Sequence, residues 1–155
     1  MPLGEPLYFL QKVWALAHVL ETASRGMQRR LGVTGAQRFV IRIVGQHPQV
    51  SAGELADLLH VHPSTVTSLL EKLERRRIIS RLGDPEDGRR SLFTLTAHGR
   101  TLNRTTTGTI EAQVGAALRA LSSAQVRTAV EVFEALTSAL DIAQPRSRVR
   151  ESRKR

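Results

Sequence analysis

The run from Glu54 to Arg100, ELADLLHVHPSTVTSLLEKLERRRIISRLGDPEDGRRSLFTLTAHGR, restricts the fold more than any other part of the chain. GELADLLH, from Gly53 to His60, forms a short amphipathic helical pattern opened by the capping box SAGE at Ser51 to Glu54. A brief turn follows. His62 and Pro63 then have the form of an N-cap and a first helical residue, since proline loses nothing there by lacking an amide hydrogen. The helix continues through STVTSLLEKLERR with Val66, Leu69, Leu70 and Leu73 facing inward. IISRL and LFTLT alternate as strands on either side of a charged tip, which makes a hairpin, and Thr96 is placed to cap the next helix. So tight a succession of helix, turn, helix and hairpin fits a mainly α fold with a small two- or three-stranded β-wing.

The flanks are helical. Leu7, Leu10, Val13, Trp14, Ala17, Leu20 and Met27 recur at helical spacing, and a second stripe of Phe9, Leu16, Val19 and Ala23 leaves this helix apolar around much of its circumference. Such a helix needs burial on more than one side. TGAQ at Thr34 to Gln37 is a capping box for the helix AQRFVIRIVGQ. Towards the other end, Ile110, Val114, Ala117, Leu118 and Leu121 form one stripe. SSAQ at Ser122 to Gln125 offers another cap, and Val126, Ala129, Phe133, Leu136 and Leu140 form a further stripe. Long apolar faces at both ends of a small central unit are those of arms that pack on a partner subunit. The expected division is therefore 1–32 as an N-terminal dimerisation helix, 33–96 as the central unit, 97–143 as C-terminal dimerisation helices and 144–155 as a tail.

Charge narrows the partner. Lys and Arg outnumber Asp and Glu by 23 to 14, a net charge of +9 over 155 residues, which suits a polyanion. Six basic residues and one acidic residue in QPRSRVRESRKR, Gln144 to Arg155, supply +5 of it, and this composition predicts disorder. With no cysteine, disulfides and thiolate metal sites are excluded. No basic, apolar and small-residue leader opens the chain and no apolar run approaches about 18 residues, so a soluble cytoplasmic protein with no membrane partner is expected. An enzyme is not expected, because no nucleophile with an adjacent base, paired carboxylates in an apolar setting or glycine-rich phosphate loop is present. Nor is any cofactor implied.

A helix-turn-helix needs a small residue where its helices cross, a turn residue tolerant of positive φ and an apolar residue facing back. Ala56, His60 and Val66 occupy these places. With the hairpin added, Val33 to Arg100 resembles the MarR family of winged helix-turn-helix transcription regulators. The wing carries that family's Asp, any residue, Arg, then an apolar strand ending Leu-Thr: Asp87, Arg89, Phe93, Leu95 and Thr96. His60 and Arg77 stand where the family usually has glycine.

This resemblance implies a winged helix-turn-helix with N- and C-terminal dimerisation helices, acting as a homodimer on pseudo-palindromic double-stranded DNA, by family habit as a repressor. The N-terminal turns of a helix in the major groove reach base edges, which makes Ser64, Thr65, Thr67 and Ser68 candidate readers. Lys72 and Arg75 reach phosphate or pair with Glu71 and Glu74. In the wing, the resemblance implies that Arg89 enters the minor groove, Asp87 orients it and Arg90 contacts the backbone. It also implies a small aromatic or anionic effector, with Trp14, His18 and Phe39 as candidate lining residues, whose alternative role is core or dimer packing. His60 and His62, with His18 and His47, make a poor zinc site, because the close pair spans a turn and a cap and no close carboxylate completes it. A competing reading is a winged-helix protein-interaction module whose basic tail docks an acidic partner.

Overall fold

The computed structural model describes residues 3–142, and the basic tail therefore lies outside the described residues. The elements follow in the order α1 (Glu5–Leu31), α2 (Gly35–Gln46), β1 (Val50–Ser51), α3 (Ala52–Leu59), α4 (Pro63–Arg75), β2 (Ile79–Gly83), β3 (Ser91–Leu95), α5 (Ala97–Arg104), α6 (Ile110–Leu118) and α7 (Ser123–Ile142). Two compact units meet in sequence between Gln113 and Val114. The first holds the sheet and the helices up to the start of α6. The second holds the rest of α6 and α7.

Local signals fix the helix starts. Thr34 accepts the Gln37 amide while the Gln37 side chain accepts the Thr34 amide, and Ser51 with Glu54 repeats the arrangement. Thr96 Oγ1 accepts from the Gly99 amide at 3.1 Å to begin α5. Ser122 and Gln125 exchange bonds of 3.2 and 2.8 Å at the start of α7. Gly32, at φ 72, ends α1 and donates its amide to Gln28. The left-handed position closing α3 is held by His60 at φ 51, and the one after α4 by Arg77 at φ 55. Both lie where a glycine has the least steric cost.

The sheet runs in the order β1-β3-β2, antiparallel throughout, so the wing has three strands. Val50 pairs with Phe93 and Ile79 with Leu95, and all four side chains are buried. Around them close Val40, Ile41 and Val44 of α2, Leu55 of α3, and Val66, Leu70 and Leu73 of α4. Each such side chain contributes roughly 1.5–3 kcal/mol by leaving water. This core fixes α4 against the sheet. At the start of α5, a Cβ on Gly99 would collide with the Ile78 carbonyl oxygen, so glycine lets α5 approach the start of β2 closely.

A buried arginine ties α2 to the chain that follows α5. Arg38, 2% exposed, donates to the carbonyls of Leu102 and of Thr105 (2.6 Å) and pairs with Glu111 at 2.6 Å. Arg42 adds bonds of 3.0 Å to the Asn103 carbonyl and side chain. Carbonyls at the end of α5 are thus served by α2 in addition to the local cap, in which the Thr105 amide donates to the Leu102 carbonyl at 3.1 Å. Burial raises the Glu111 carboxyl pKa, but the bond and charge of Arg38, the Glu111 amide and the Thr109 hydroxyl together outweigh it and hold the group below the ordinary value.

Both units leave apolar side chains in solvent. On α1, Leu7, Phe9, Trp14 and Val19 are exposed; on the second unit, Val114, Leu118, Val130 and Phe133 are exposed. No helix among the described residues is long and apolar enough to cross a membrane.

Candidate nucleic-acid interface

Two sequence features direct α4. The inward stripe Val66, Leu70 and Leu73 is buried, which turns Ser64, Thr65, Thr67 and Ser68 outward together. His62 caps the helix with a ring nitrogen, Nδ1 accepting the Ser64 amide at 3.2 Å, and Pro63 opens the first turn. Lys72 and Arg75 follow on the exposed surface, but Glu74 pairs with Arg81 of β2 at 3.1 Å. The Arg81 guanidinium also lies 5.3 Å from the centre of the Phe93 ring.

The wing tip is shaped by two aspartates acting on the main chain. Asp84 Oδ1 accepts the Glu86 amide at 2.9 Å, and Asp87 Oδ1 accepts the Arg89 amide at 3.0 Å. These are Asx-type turns. The Asp87 carbonyl also takes the Arg90 amide at 2.8 Å, and the Asp84 amide bonds the Arg90 carbonyl at 3.0 Å, closing the tip. Asp87 therefore bonds the backbone that carries Arg89, which leaves the exposed guanidinium at the tip without an acidic partner among the described residues.

Arg90 points back into the protein. Its guanidinium lies 3.0 Å from Glu54 and 3.0 Å from Ser51 Oγ, with Asp84 4.0 Å away. It thus braces the base of the wing against the start of α3. The Ser51 amide and hydroxyl, with a smaller contribution from Arg90, lower the Glu54 pKa to about 2. Between wing and helices lies a groove of about 560 Å³, lined among others by Ser51, Glu54, Thr67, Arg81, Arg89 and Arg90. The groove brings Arg89 and Arg90 of the wing together with Thr67 of the outward row of α4.

The three candidate effector residues do not share one cavity. His18 lines a cavity of about 410 Å³ on α1 with Val19, Thr22, Arg30 and Gln113. Trp14 is 68% exposed and Phe39 55% exposed, and neither lines it. Among the described residues no three His, Asp or Glu side chains gather as a metal site. Sequence reasoning missed Arg38, Arg81 and the inward turn of Arg90. Arg38 had a signal, since it sits three residues before Ile41 on the inward stripe of α2.

A helix pair packed on a three-stranded hairpin sheet, with an exposed hydroxyl face beside a basic tip, defines a winged helix-turn-helix protein. The MarR family model matches residues 31–90. The HTH-type transcriptional repressor Rv2887 of Mycobacterium tuberculosis is 31% identical over 137 residues, covering 88% of this chain and 94% of that protein. On these grounds the chain belongs to the MarR family. Among solved structures, the S. aureus MepR–DNA complex superposes with a TM-score of 0.72 at 21% identity, covering 85% of this chain and 97% of that one. The PcaV regulator of Streptomyces coelicolor, solved with its natural ligand, superposes with a TM-score of 0.68 at 19% identity, covering 90% and 99%.

Proposed function

We propose that this protein is a transcriptional repressor that binds pseudo-palindromic double-stranded DNA as a homodimer. The observation that carries the reading is the shared orientation of α4 and the wing: Thr67 of the exposed hydroxyl row and Arg89 line the same groove. A helix of this kind fits a major groove, while an arginine at a wing tip suits a narrow, electronegative minor groove. Ser64, Thr65, Thr67 and Ser68 read bases, Lys72 meets phosphate, Arg89 probes the minor groove, and Asp87 shapes the turn that presents it. Arg90, held by Glu54 and Ser51, supports the wing in that task.

The names of the relatives support repression, and the MepR complex supports DNA as partner. Exposed apolar faces on α1 and in the second unit support a homodimer, because faces of that kind are normally covered. Two copies of α4 then occupy successive major grooves roughly 10 bp apart. A small aromatic or anionic effector would change the separation of the two lobes and release DNA. The cavity beside His18, with Arg30 in its lining, has chemistry that suits an anion.

The test uses duplexes selected from a random pool by the purified protein. Arg89→Ala is expected to weaken binding to the selected duplex by roughly 1–3 kcal/mol, while sedimentation still gives twice the chain mass. An unchanged titration refutes the role of the wing, and a monomeric wild type refutes the dimer.

A further inference from the structure

A serine or threonine hydroxyl has one hydrogen to give and two lone pairs to receive, so the place where its hydrogen goes decides what it can offer DNA. On the reading face of α4 two hydrogens are already committed. Thr67 Oγ1 donates to the Pro63 carbonyl at 3.0 Å, an oxygen that can only accept. Ser64 Oγ lies 2.7 Å from His62 Nδ1, and the same nitrogen receives the Ser64 amide hydrogen at 3.2 Å. A ring nitrogen that accepts an amide hydrogen carries none of its own. The Ser64 hydroxyl is therefore the donor in the shorter bond, and the neutral His62 ring holds its hydrogen on Nε2.

We infer that Ser64 and Thr67 meet DNA as acceptors only, selecting adenine or cytosine on the strand they face and rejecting guanine there. His62 is the positioning residue that sets this polarity at Ser64. The inference rests on the DNA-binding reading above. In the major groove, adenine N6 and cytosine N4 donate, whereas guanine N7 and O6 and thymine O4 only accept. Phosphate oxygens also only accept, so outward lone pairs turn these two hydroxyls from the backbone to the bases. Reversing either hydroxyl gives up an internal hydrogen bond, which amounts to about three- to tenfold in selectivity at each position. The outward Nε2–H of His62 adds one donor at the edge of this acceptor surface.

The experiment is selection from random duplexes by the full chain and by four variants, Ser64→Ala, Thr67→Val, His62→Gly and His62→Asn. All three positions are exposed, and circular dichroism checks that each variant keeps its helices. Loss of base preference in Ser64→Ala and in Thr67→Val locates the two positions. In the wild type each is expected to hold adenine or cytosine over guanine by about three- to tenfold. His62→Gly frees the Ser64 hydroxyl, so guanine and thymine should enter at the Ser64 position and not at the Thr67 position. His62→Asn, whose amide oxygen can accept both hydrogens, should restore the preference. Guanine or thymine enriched by the wild type at either mapped position overturns the inference. So does an unchanged Ser64 position in His62→Gly, or a failure of Ser64→Ala and Thr67→Val to alter any base. Enrichment of any sequence by the wild type upholds DNA reading whichever bases appear, whereas no enrichment at all refutes that reading and this inference together.

Discussion

Replacing Arg38 by methionine removes a guanidinium that is 2% exposed and serves three carbonyls and one carboxylate. Hydrogen bonds to charged groups contribute about 1.5–3 kcal/mol each. Half-buried carbonyls at the end of α5 recover part of that from water, and methionine fills the space of the arginine stem without a desolvated charge. The Glu111 side chain is 38% exposed, so the ion pair itself is screened and contributes about 1 kcal/mol or less. The net loss is expected to be about 3 kcal/mol, equivalent to roughly 6–12 °C in Tm for a chain of this size. Thermal and urea unfolding followed by circular dichroism, at one fixed protein concentration, measure it. Glu111→Gln is the control, because it keeps the carbonyl bonds and should lose no more than about 1 kcal/mol. A loss below about 1 kcal/mol in Arg38→Met, or an equal loss in both variants, refutes the view that Arg38 serves mainly to satisfy those carbonyls.

Glu54 titrates at about 2 in the folded protein against an ordinary 4.5, so its contribution to stability is complete above 4.5 and disappears as the pH falls through 2. The stability difference between wild type and Glu54→Gln should therefore be flat at neutral pH and close across that interval; a difference unchanged at pH 2 contradicts the assignment. Gly99→Ala should destabilise by about 2 kcal/mol in urea unfolding, since the added methyl meets the backbone at Ile78. A wild-type midpoint for that variant argues against the close approach of α5. Arg77→Gly should raise stability by roughly 0.5–1 kcal/mol by relieving the positive φ, offset in part by the freer unfolded chain. A lower Tm would show that the Arg77 side chain contributes more than its backbone strain removes.

Features of the fold that were legible in the sequence are those whose causes are local. Thr34, Ser51, Thr96 and Ser122 each cap within three residues, and His62-Pro63 marks a helix start by chemistry alone. His60 and Arg77 were legible as left-handed positions because the family pattern places glycine there, and both have positive φ. The sequence allows for a third strand, but its place at β1 was not legible, since two residues are too few for an alternation and their pairing is with Phe93 and Leu92, far along the chain. Arg38 escaped notice for the same reason, its partners lying more than sixty residues away. In the wing, Asp87 was read as orienting Arg89, and the carboxylate bonds the Arg89 amide instead of its side chain. The Asp-Gly pair at 87 and 88 carries that turn chemistry in the sequence itself. Arg90 looked like a free cation because Glu54, which faces it, belongs to a helix thirty-six positions earlier.

The two acid-held arginines beside the wing also bear on how its affinity responds to ionic strength. Arg81 is neutralised by Glu74 and Arg90 by Glu54 before any DNA arrives. Neither displaces a condensed counterion while those pairs last. Each phosphate neutralised by the protein steepens the fall of log affinity with log salt by about 0.9. The three arginines lining the groove would on a simple count contribute roughly 2.7. With two of them already compensated, the contribution is about 0.9, from Arg89 alone. Sequence preference then weighs more heavily against bulk electrostatic attraction than the chain's overall positive charge suggests.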